Sequence, residues 1–330
     1  MFLAGDVGGT KTAIALFEER ENKLHITREM VVHSAEYASL EEAVGKFLSA
    51  TPQHEIRAAC FGVPGIVMDG RCHATNLPWV VDERELARKI GGCAVKLIND
   101  LEATALGMLE LPRDQFETIQ AGATEARVGN VGVIAAGTGL GEAVLHWTGA
   151  RFEPLACEAG HADFAPRTEL EIELLRYLKG MLGGHVSYER VISGPGIHNI
   201  YQFLRDYGFA PEAAWVADEL RASADPSAVI SELGTANKDR LCRMTIETFS
   251  TIYGAEAGNL ALRCLAIGGI YLGGGIAPKI KSVLMDGSFM QGFLDKGRLR
   301  QFLEQVPVFI AMNERAALLG AARCATRLMA

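Results

Sequence analysis

The first residues that could do chemistry lie in the opening stretch of the chain, residues 3–17. Two short apolar strands are predicted there, joined by a turn at Gly8 and Gly9. We expect these glycines to take a positive φ and to leave no side chain above the turn, so that its N–H groups can contact a phosphate. Asp6 would hold a hydrated Mg²⁺ at the end of the first strand, and Thr10 would add a hydroxyl donor. Alone, a Gly-Gly turn is more often an ordinary surface hairpin.

Two further glycine-rich turns follow apolar strands later in the chain. Residues 131–146 repeat the opening plan of strand, Gly/Thr turn and strand, with Gly137, Thr138 and Gly139 in the turn. Gly273, Gly274 and Gly275 come after a third apolar run and precede a predicted helix. Three such turns favour a nucleotide cradle built by duplicated domains that face one cleft, although each could be an ordinary tight turn.

Asp100 is the candidate general base. Residues 94–98 predict a strand, Asn99 and Asp100 follow it, and a helix is predicted from Leu101 to Leu109. Working residues of open α/β sheets lie at this position, and a kinase acting on an alcohol needs one carboxylate to accept the hydroxyl proton. Asn and Asp are also favoured helix caps, and a capped carboxylate stays ionised, so both interpretations can hold together.

Short polar clusters in apolar surroundings could bind the hydroxyls of a sugar. They are residues 74–79 with Asn76, residues 158–164 with Glu158 and His161, and residues 185–190 with Glu189. Taken alone, His161 is more often a hydrogen-bonded core histidine, and Glu189 with Arg190 more often a solvated helix face. No closely spaced cysteines follow His161, which argues against a zinc site. The sequence also lacks the G-x-S-x-G motif that would indicate a serine nucleophile.

The elements that must position these residues alternate between strands and helices. Ser39 with Glu42, and Asp82 with Glu85, have the spacing of helix N-terminal capping boxes. The remaining predicted elements are a strand at 23–33, a helix at 39–48, a strand at 56–63, a helix at 82–90 and a long helical region at 240–266.

Composition narrows the function classes. The chain has 330 residues, a formal charge of −8 and no Lys/Arg-rich run, so neither nucleic acid nor an anionic membrane is an expected partner. Seven scattered cysteines without a C-x-x-C pair are typical of reduced thiols. The apolar N-terminus has no basic leader, and the longest uncharged run, 264–278, is too short to span a membrane. We therefore expect a cytoplasmic protein that acts on small molecules.

Taken together, seven motifs in order along the chain resemble the bacterial glucokinase family, the hexokinase-like branch of the actin-type ATPase fold. They are G-D-V-G-G-T (5–10), T-N-L-P-W (75–79), I-N-D (98–100), G-T-G-L-G (137–141), E-A-G-H-A-D-F-A-P (158–166), H-V-S-Y-E-R-V-I-S-G-P-G (185–196) and L-G-G-G-I-A-P (272–278).

The resemblance implies an α/β fold of duplicated ribonuclease H-like domains, two lobes with a cleft between them. Residues 1–109 and 314–330 would form a small domain, and residues 110–313 a large one. A homodimer is also suggested.

The resemblance also implies roles for single residues. Asp100 would be the base for the 6-hydroxyl of glucose. The expected sugar-binding set is Asn76, Asn99, Asp100, Glu158, His161 and Glu189. The expected ATP-binding set is Gly5, Asp6, Val7, Gly8, Gly9, Thr10, Gly137, Thr138, Gly139, Gly273, Gly274 and Gly275, with Mg²⁺ held by Asp6 through water.

The chain departs from the family pattern at two positions. Ala159 stands where E-G-G-H is usual, and Lys11 where Asn is common. Kinases of the repressor, open reading frame, kinase family also carry the histidine, but with a zinc-binding cysteine cluster that this sequence lacks.

The hypothesis is therefore an ATP:D-glucose 6-phosphotransferase that uses ATP and Mg²⁺ and whose domains close on the sugar. A kinase of another hexose or amino sugar on the same fold is the first alternative. A sugar-responsive regulator or ATPase without sugar phosphorylation is the second, although no basic patch indicates a DNA-binding regulator.

Overall fold

The computed structural model describes residues 1–50, 55–123, 127–155, 157–313 and 315–329. The chain divides into two compact units, one comprising Met1–Arg113, Pro154–Ala156 and Asn313–Ala330, the other Asp114–Glu153 and Cys157–Met312. The domain boundaries expected from the sequence stay a prediction, and Glu314 and Ala330 of the expected C-terminal segment lie outside the described residues.

The first unit contains a central sheet, a small second sheet and flanking helices. Its elements are β1 Phe2–Val7, β2 Lys11–Arg20, β3 Lys23–His33, α1 Leu40–Ser49, β4 Ala58–Val63, β5 Val67–Met68, β6 Arg71–His73, β7 Val80–Asp82, α2 Glu83–Ile90, β8 Ala94–Asn99, α3 Asp100–Met108 and, late in the chain, α13 Ala316–Arg327.

The central sheet of this unit has the order β3-β2-β1-β4-β8. The strands β1, β2 and β3 form an antiparallel meander, whereas β1, β4 and β8 run parallel. In this register Asp6 lies beside Gly62, and Gly62 lies beside Ile98. The carboxyl ends of the three parallel strands therefore share one edge of the sheet, where Asp6 and Asn99 both lie.

Helix starts in this unit are fixed by the caps that the sequence predicts. The Ser39 hydroxyl accepts from the Glu42 amide, and the Glu42 carboxylate accepts from the Ala38 amide at 2.8 Å. Asp82 accepts from the amide of Arg84 at 2.7 Å. These hydrogen bonds satisfy amides that lack partners in the first turn, which confirms both predicted helices.

The helices α3 and α13 pack with their backbones in close contact. A Cβ placed on Gly107 would lie 1.7 Å from the Ala316 carbonyl oxygen, and one placed on Gly320 would lie 1.7 Å from the Ala103 carbonyl oxygen. No side chain larger than hydrogen fits at either position without separating the helices.

The Arg323 guanidinium of α13 is nearly buried and ties this helix to the unit. It makes a bidentate pair with Glu110, with both N–O distances at 2.8 Å, and reaches Glu19 at 2.7 Å. Paired carboxylates on two sides compensate for the removal of the charge from water.

The second unit contains a six-stranded sheet and a larger set of helices. Its elements are β9 Phe116–Gln120, β10 Val131–Ala136, β11 Leu140–Trp147, β12 Phe152–Leu155, α4 Glu169–Leu182, α5 Gly194–Asp206, α6 Ala214–Ala222, α7 Pro226–Thr235, α8 Arg240–Cys264, β13 Gly269–Gly273, α9 Ile276–Lys279, α10 Lys281–Leu284, α11 Ser288–Leu294, α12 Arg300–Leu303 and β14 Val308–Ala311.

The sheet of the second unit has the order β12-β11-β10-β13-β14-β9. The β10–β11 pair is antiparallel, whereas β10, β13 and β14 run parallel. The first unit uses the same arrangement, a hairpin followed by two parallel strands. The predicted fold class of duplicated α/β units is confirmed, as is the predicted repetition of the opening hairpin at residues 131–146.

The long helix α8 lies at the centre of the second unit's core. Phe249 and Tyr253 are fully buried, and the Tyr253 hydroxyl donates to the Ile134 carbonyl oxygen at 3.1 Å. This hydrogen bond joins α8 to strand β10, so the helix and the strand that precedes the Gly137 turn keep one relative position.

Among the described residues, no helix combines the length and the apolar character that crossing a bilayer requires.

The close approach of α3 and α13 predicts a strong effect for Gly320→Ala. We expect a loss of about 2 kcal/mol or more, because the added methyl group overlaps a backbone carbonyl and the helices must separate. Differential scanning calorimetry should show a Tm several degrees lower than that of the unchanged protein.

Gly180→Ala is the matched control, since Gly180 lies in α4 with open space where its Cβ would be. Alanine has the higher helix propensity, so this variant should be neutral or slightly more stable. Equal Tm values for the two variants would contradict the proposed packing role of Gly320.

Candidate active site

The turn between β1 and β2 is closed by a hydrogen bond from the Gly8 amide to the Lys11 carbonyl oxygen at 2.9 Å. The predicted positive φ at Gly8 and Gly9 is wrong, because neither residue has left-handed backbone. Glycine is needed there for space instead. A Cβ on Gly8 would lie 2.8 Å from the Lys11 oxygen, and one on Gly9 would lie 2.9 Å from the Cβ of Asn76.

Asp6 lies at the end of β1, immediately before this turn, and its side chain is only partly exposed. Burial raises the pKa of Asp6 to about 6, because the charged form loses hydration. Within the described residues, no group of three or more His, Cys, Asp or Glu could hold a metal ion by itself. The carboxylate suits a cation that brings its own water and phosphate ligands, as Mg²⁺ does.

Asn99 and Asp100 stand where β8 gives way to α3. The Asn99 Oδ1 accepts from the Leu101 amide at 2.8 Å, and Asp100 Oδ1 accepts from the same amide at 2.9 Å. The helix begins at Asp100, one residue earlier than the sequence predicts. Asn99 is therefore the cap, and the half-buried Asp100 carboxylate is oriented at the first helical position, near the positive end of the helix dipole.

Asn76 is exposed in the loop that precedes β7 and lies against Gly9. Its neighbour Thr75 donates to the Pro64 carbonyl oxygen through both its amide and its hydroxyl. The Asn99 Nδ2 donates to the next carbonyl oxygen, that of Gly65, at 3.2 Å. The first unit thus brings Gly9, Asn76 and Asn99 together around the loop that follows β4.

In the second unit, Glu158 precedes a single turn of 3-10 helix at Ala159–His161, and His161 is the last residue of that turn. Both side chains are exposed, so the interpretation of His161 as a core histidine is wrong. The turn packs on the first residue of β11, since a Cβ on Gly160 would lie 2.0 Å from the Leu140 carbonyl oxygen. The tight position is Gly160, whereas the departure at Ala159 falls on a residue that is only half-buried.

Glu189 also contacts the start of β11. Its Oε2 accepts a hydrogen bond from the Leu140 amide at 3.1 Å. A Cβ on Gly139 would lie only 2.5 Å from the same oxygen. The interpretation of Glu189 as part of a solvated helix face is wrong, although Arg190 is exposed. A carboxylate held by one oxygen in this way keeps a fixed orientation.

The segments that carry His161 and Glu189 pair with each other directly. The Tyr188 amide donates to the Ala162 carbonyl oxygen at 3.0 Å, and Asp163 and Ser187 form an antiparallel bridge. The second unit therefore gathers the 158–161 and 187–189 segments and the Gly139 turn around Leu140.

A cavity of about 1150 Å³ lies beside the two glycine-rich turns of the second unit. Gly137, Thr138 and Gly275 line it, together with the first residues of α5 and most of α7. Gly274 has φ +78 and approaches the Ala136 carbonyl oxygen so closely that a Cβ would lie 2.2 Å from it. Only glycine permits the two turns to meet in this way.

Sequence reasoning missed the contribution of α5 and α7 to this cavity. Its lining includes His198, Ser231 and Thr235, and the buried His198 Nδ1 and Thr235 Oγ1 accept or donate no hydrogen bond within the described residues. The S-G-P-G stretch at 193–196 was the available signal, because Ser193 caps α5 and the Gly194 amide donates to the Gly137 carbonyl oxygen at 2.8 Å.

Comparison with known proteins gives one consistent result. The family model described as Glucokinase matches residues 3–328. A curated glucokinase from Nostoc punctiforme is 40% identical, with 99% of each chain covered.

The same result comes from solved structures. A glucokinase from an Antarctic psychrotroph superimposes with a TM-score of 0.86 at 32% identity, covering 99% of this chain and 98% of that one. A glucokinase from Balamuthia mandrillaris, solved in complex with glucose, has a TM-score of 0.82 at 22% identity and covers 98% of this chain and 93% of that one, which shows the shared fold. These matches and the predicted motifs agree: the chain belongs to the glucokinase family.

Proposed function

We propose that the chain phosphorylates D-glucose at its 6-hydroxyl with ATP, using Asp100 as the general base. Family membership supports the reaction, and the orientation of Asp100 supports its role. This carboxylate stands at the edge of a parallel sheet, at a helix N-terminus, with one oxygen held by a backbone amide. A helix N-terminus is a favourable place for a negative charge, and the hydrogen bond fixes the orientation of the carboxylate that a base requires.

The chemical step needs little from the protein beyond placement and charge. The 6-oxygen of glucose forms a bond to the γ-phosphorus while the bond from that phosphorus to the β–γ bridging oxygen breaks, and ADP leaves. Asp100 accepts the hydroxyl proton as the new bond forms. Because the reaction is largely positioning, an oriented carboxylate is worth more than a mobile one.

The sugar hydroxyls are assigned to the polar residues around Leu140 and around the loop that follows β4. Glu158, His161 and Glu189 of the second unit, with Asn76 and Asn99 of the first, offer carboxylate, imidazole and amide groups. Glu189 and Asn99 are oriented by hydrogen bonds to backbone. Once a bound sugar covers these groups, a polar group that lacks a hydroxyl partner is costly, which would give the set its selectivity for one sugar.

The nucleotide is assigned to the cavity beside the Gly137 and Gly275 turns. Its volume is large enough for an adenosine, and its lining includes the polar residues Ser227 and Ser231 of α7. The amides of Gly9, Thr10, Thr138 and Gly139 would bind phosphate oxygens. The amides of Gly8 and Gly137 close their own turns, Gly5 and Val7 shape the first turn, and Gly273–Gly275 would border the adenosine.

Mg²⁺ would be held by Asp6 through water. When bound, the cation neutralises charge on the phosphates of ATP. Asp6 itself remains a buried carboxylate whose charge is poorly solvated without a cation, and that is the property the proposal uses.

The remaining assignments concern the setting of the enzyme. A homodimer is proposed from the family resemblance, and a cytoplasmic location from the composition of the sequence. Phosphorylation of another hexose, and ATP hydrolysis without a sugar acceptor, remain the rival activities, and no particular contact favours either one. Rates measured with ATP over a panel of hexoses, and without sugar, separate them.

Asp100→Asn tests the base. The amide keeps the size of the side chain but cannot take the proton, so kcat should fall by about 10²-fold or more while the glucose Kd changes little. Steady-state kinetics and isothermal titration calorimetry give the two values. Glu102→Gln, in the same helical turn, is the control and should keep near-normal kcat. Near-normal turnover by Asp100→Asn would contradict the assignment.

Asp6→Asn tests, through the thermal stability of the protein, whether burial disfavours the charged form of Asp6. The raised pKa means that ionisation of Asp6 destabilises the folded chain as pH rises from about 4 to about 6, and this effect persists above pH 6. Removing this charge should stabilise the folded chain by about 2 kcal/mol at pH 8, after a reduction for solvent screening. Without Mg²⁺ the variant should therefore melt about 3 °C higher than the unchanged protein at pH 8. This gain should shrink at pH 5.

The same variant should lose most of its Mg²⁺-dependent activity. Glu36→Gln removes an exposed carboxylate from the same unit and should change neither Tm nor activity. An Asp6→Asn variant that melts below the unchanged protein at pH 8 would contradict the raised pKa of the Asp6 carboxyl group.

Ala228→Phe tests the nucleotide cavity. A phenyl group at this lining position should fill part of the space and raise the KM for ATP at least tenfold, about 1.4 kcal/mol, with the glucose Kd unchanged. Ala222→Phe, at an exposed position of α6, is the matched control. An unchanged KM for ATP in a folded Ala228→Phe protein would place the nucleotide elsewhere.

A further inference from the structure

Two fully buried carboxylates, one of them two residues after Leu140, form ion pairs with the same arginine. Glu142 of β11 and Glu256 of α8 have no exposed side-chain surface, and the neighbouring Arg263 is about half exposed. Arg263 Nη1 lies 2.5 Å from Glu256 Oε1 but 3.7 Å from Glu142 Oε2. Glu256 also accepts from Asn259 Nδ2 at 2.8 Å. The guanidinium thus pairs mainly with Glu256.

Apart from this longer contact with Arg263, the Glu142 carboxyl group has no partner among the described residues. Within the described residues, neither of its carboxylate oxygens takes part in a hydrogen bond. A buried carboxylate without hydrogen bonds is costly, whereas a carboxylic acid can donate to a neighbouring carboxylate. Burial, followed by the negative charge of Glu256, raises the pKa of Glu142 to about 8. A proton on Glu142 therefore explains both its burial and its apparent lack of a partner.

The pair is connected to both segments that carry the proposed glucose ligands. Asn259 Nδ2, which donates to Glu256, also donates to the Tyr188 hydroxyl at 3.1 Å, and Tyr188 precedes Glu189. The Glu142 carbonyl oxygen accepts from Cys157 Sγ at 3.0 Å, and Cys157 precedes Glu158. Two residues before Glu142, Leu140 holds Glu189 directly.

We propose that Glu142 is a positioning residue for glucose binding, acting as a neutral acid that donates to Glu256 and so holds the Glu158 and Glu189 segments in place. The inference rests on the proposed function of those two segments. It adds a role for residues that do not touch the sugar.

The proposal predicts a pH dependence of glucose affinity. The titratable or charged groups facing Glu142 are Glu256 and Arg263, with Tyr188, Cys157, Cys264 and Tyr253 nearby. As pH rises through about 8, Glu142 loses its proton and two carboxylates must share one guanidinium. The raised pKa also means that the stability supplied by the protonated acid is lost as pH rises from about 4.5 to 8.

The test is the glucose Kd, measured by calorimetry without nucleotide at pH 7, 8 and 9. In the unchanged protein the Kd should rise at least fivefold over this range, with a smaller change in kcat. Glu142→Gln keeps a hydrogen-bond donor toward Glu256 and cannot ionise. Its glucose Kd should equal that of the unchanged protein at pH 7 and change less than twofold between pH 7 and 9. Glu304→Gln, an exposed control, should follow the unchanged protein.

Two more variants keep the test decisive. Glu142→Ala lacks the donor and should bind glucose at least tenfold more weakly at pH 7. Glu256→Gln removes the neighbouring charge and should move the midpoint of the pH dependence downward. A flat Kd in the unchanged protein, or the same pH dependence in Glu142→Gln, would overturn the proposal.

Glu189→Ala separates this inference from the proposed function. If this variant binds glucose normally at every pH, the assigned sugar site is wrong. The melting temperature still tests the buried acid in that case, because Glu142→Gln should gain Tm relative to the unchanged protein as pH rises from 5 to 8. An absent gain would contradict a protonated Glu142 independently of glucose.

Discussion

The parallel register of β1, β4 and β8 is the constraint on which the first unit's chemistry depends. It places Asp6, Gly62 and Ile98 side by side, so that the carboxylate of Asp6 and the start of α3 lie at one edge of the sheet. The strand and helix are closely packed at this edge, because a Cβ on Gly62 would lie 2.9 Å from the Cβ of Ala103 in α3. A shift of one residue in β8 would move Asp100 by about 3.3 Å and turn its neighbours to the opposite face of the sheet.

The second unit repeats this register and uses it for a different purpose. Ala135 lies beside Gly273 on the neighbouring parallel strand, so the turns that follow β10 and β13 meet at one edge and border the cavity. The adjacent strand β11 begins at Leu140, whose backbone contacts Gly160 and Glu189. One short hairpin thereby links the turn beside the cavity proposed for the nucleotide to the segments proposed for the sugar. Glu142 belongs to the same hairpin and is buried together with Glu256 of α8.

Much of this could be predicted from the sequence, because it depends on local rules. Helix caps at Ser39 and Asp82, the two glycine-turn hairpins and the polar pair at 99–100 follow from spacing and residue type. Most of the errors concern contacts between distant segments, whereas the error at Gly8 concerns the close approach of Lys11 within the same turn. Glycine at positions 8 and 9 is required by Lys11 and Asn76 rather than by a positive φ, and His161 is exposed because its turn packs through Gly160. Nothing local in Glu142 or Glu256 reveals that they are buried together, 114 positions apart in the chain. The cavity lining from α7 was missed for the same reason.

The central claim is that the carboxylate oriented by the Leu101 amide receives the proton of the sugar. A crystal structure with glucose, Mg²⁺ and a non-hydrolysable ATP analogue tests it most directly. The account predicts an Asp100 oxygen within hydrogen-bond distance of the glucose 6-oxygen, about 2.6–3.2 Å, with the γ-phosphorus on the opposite side of that oxygen. Glucose bound with its 6-oxygen against another carboxylate, and Asp100 turned away from the sugar, would contradict it.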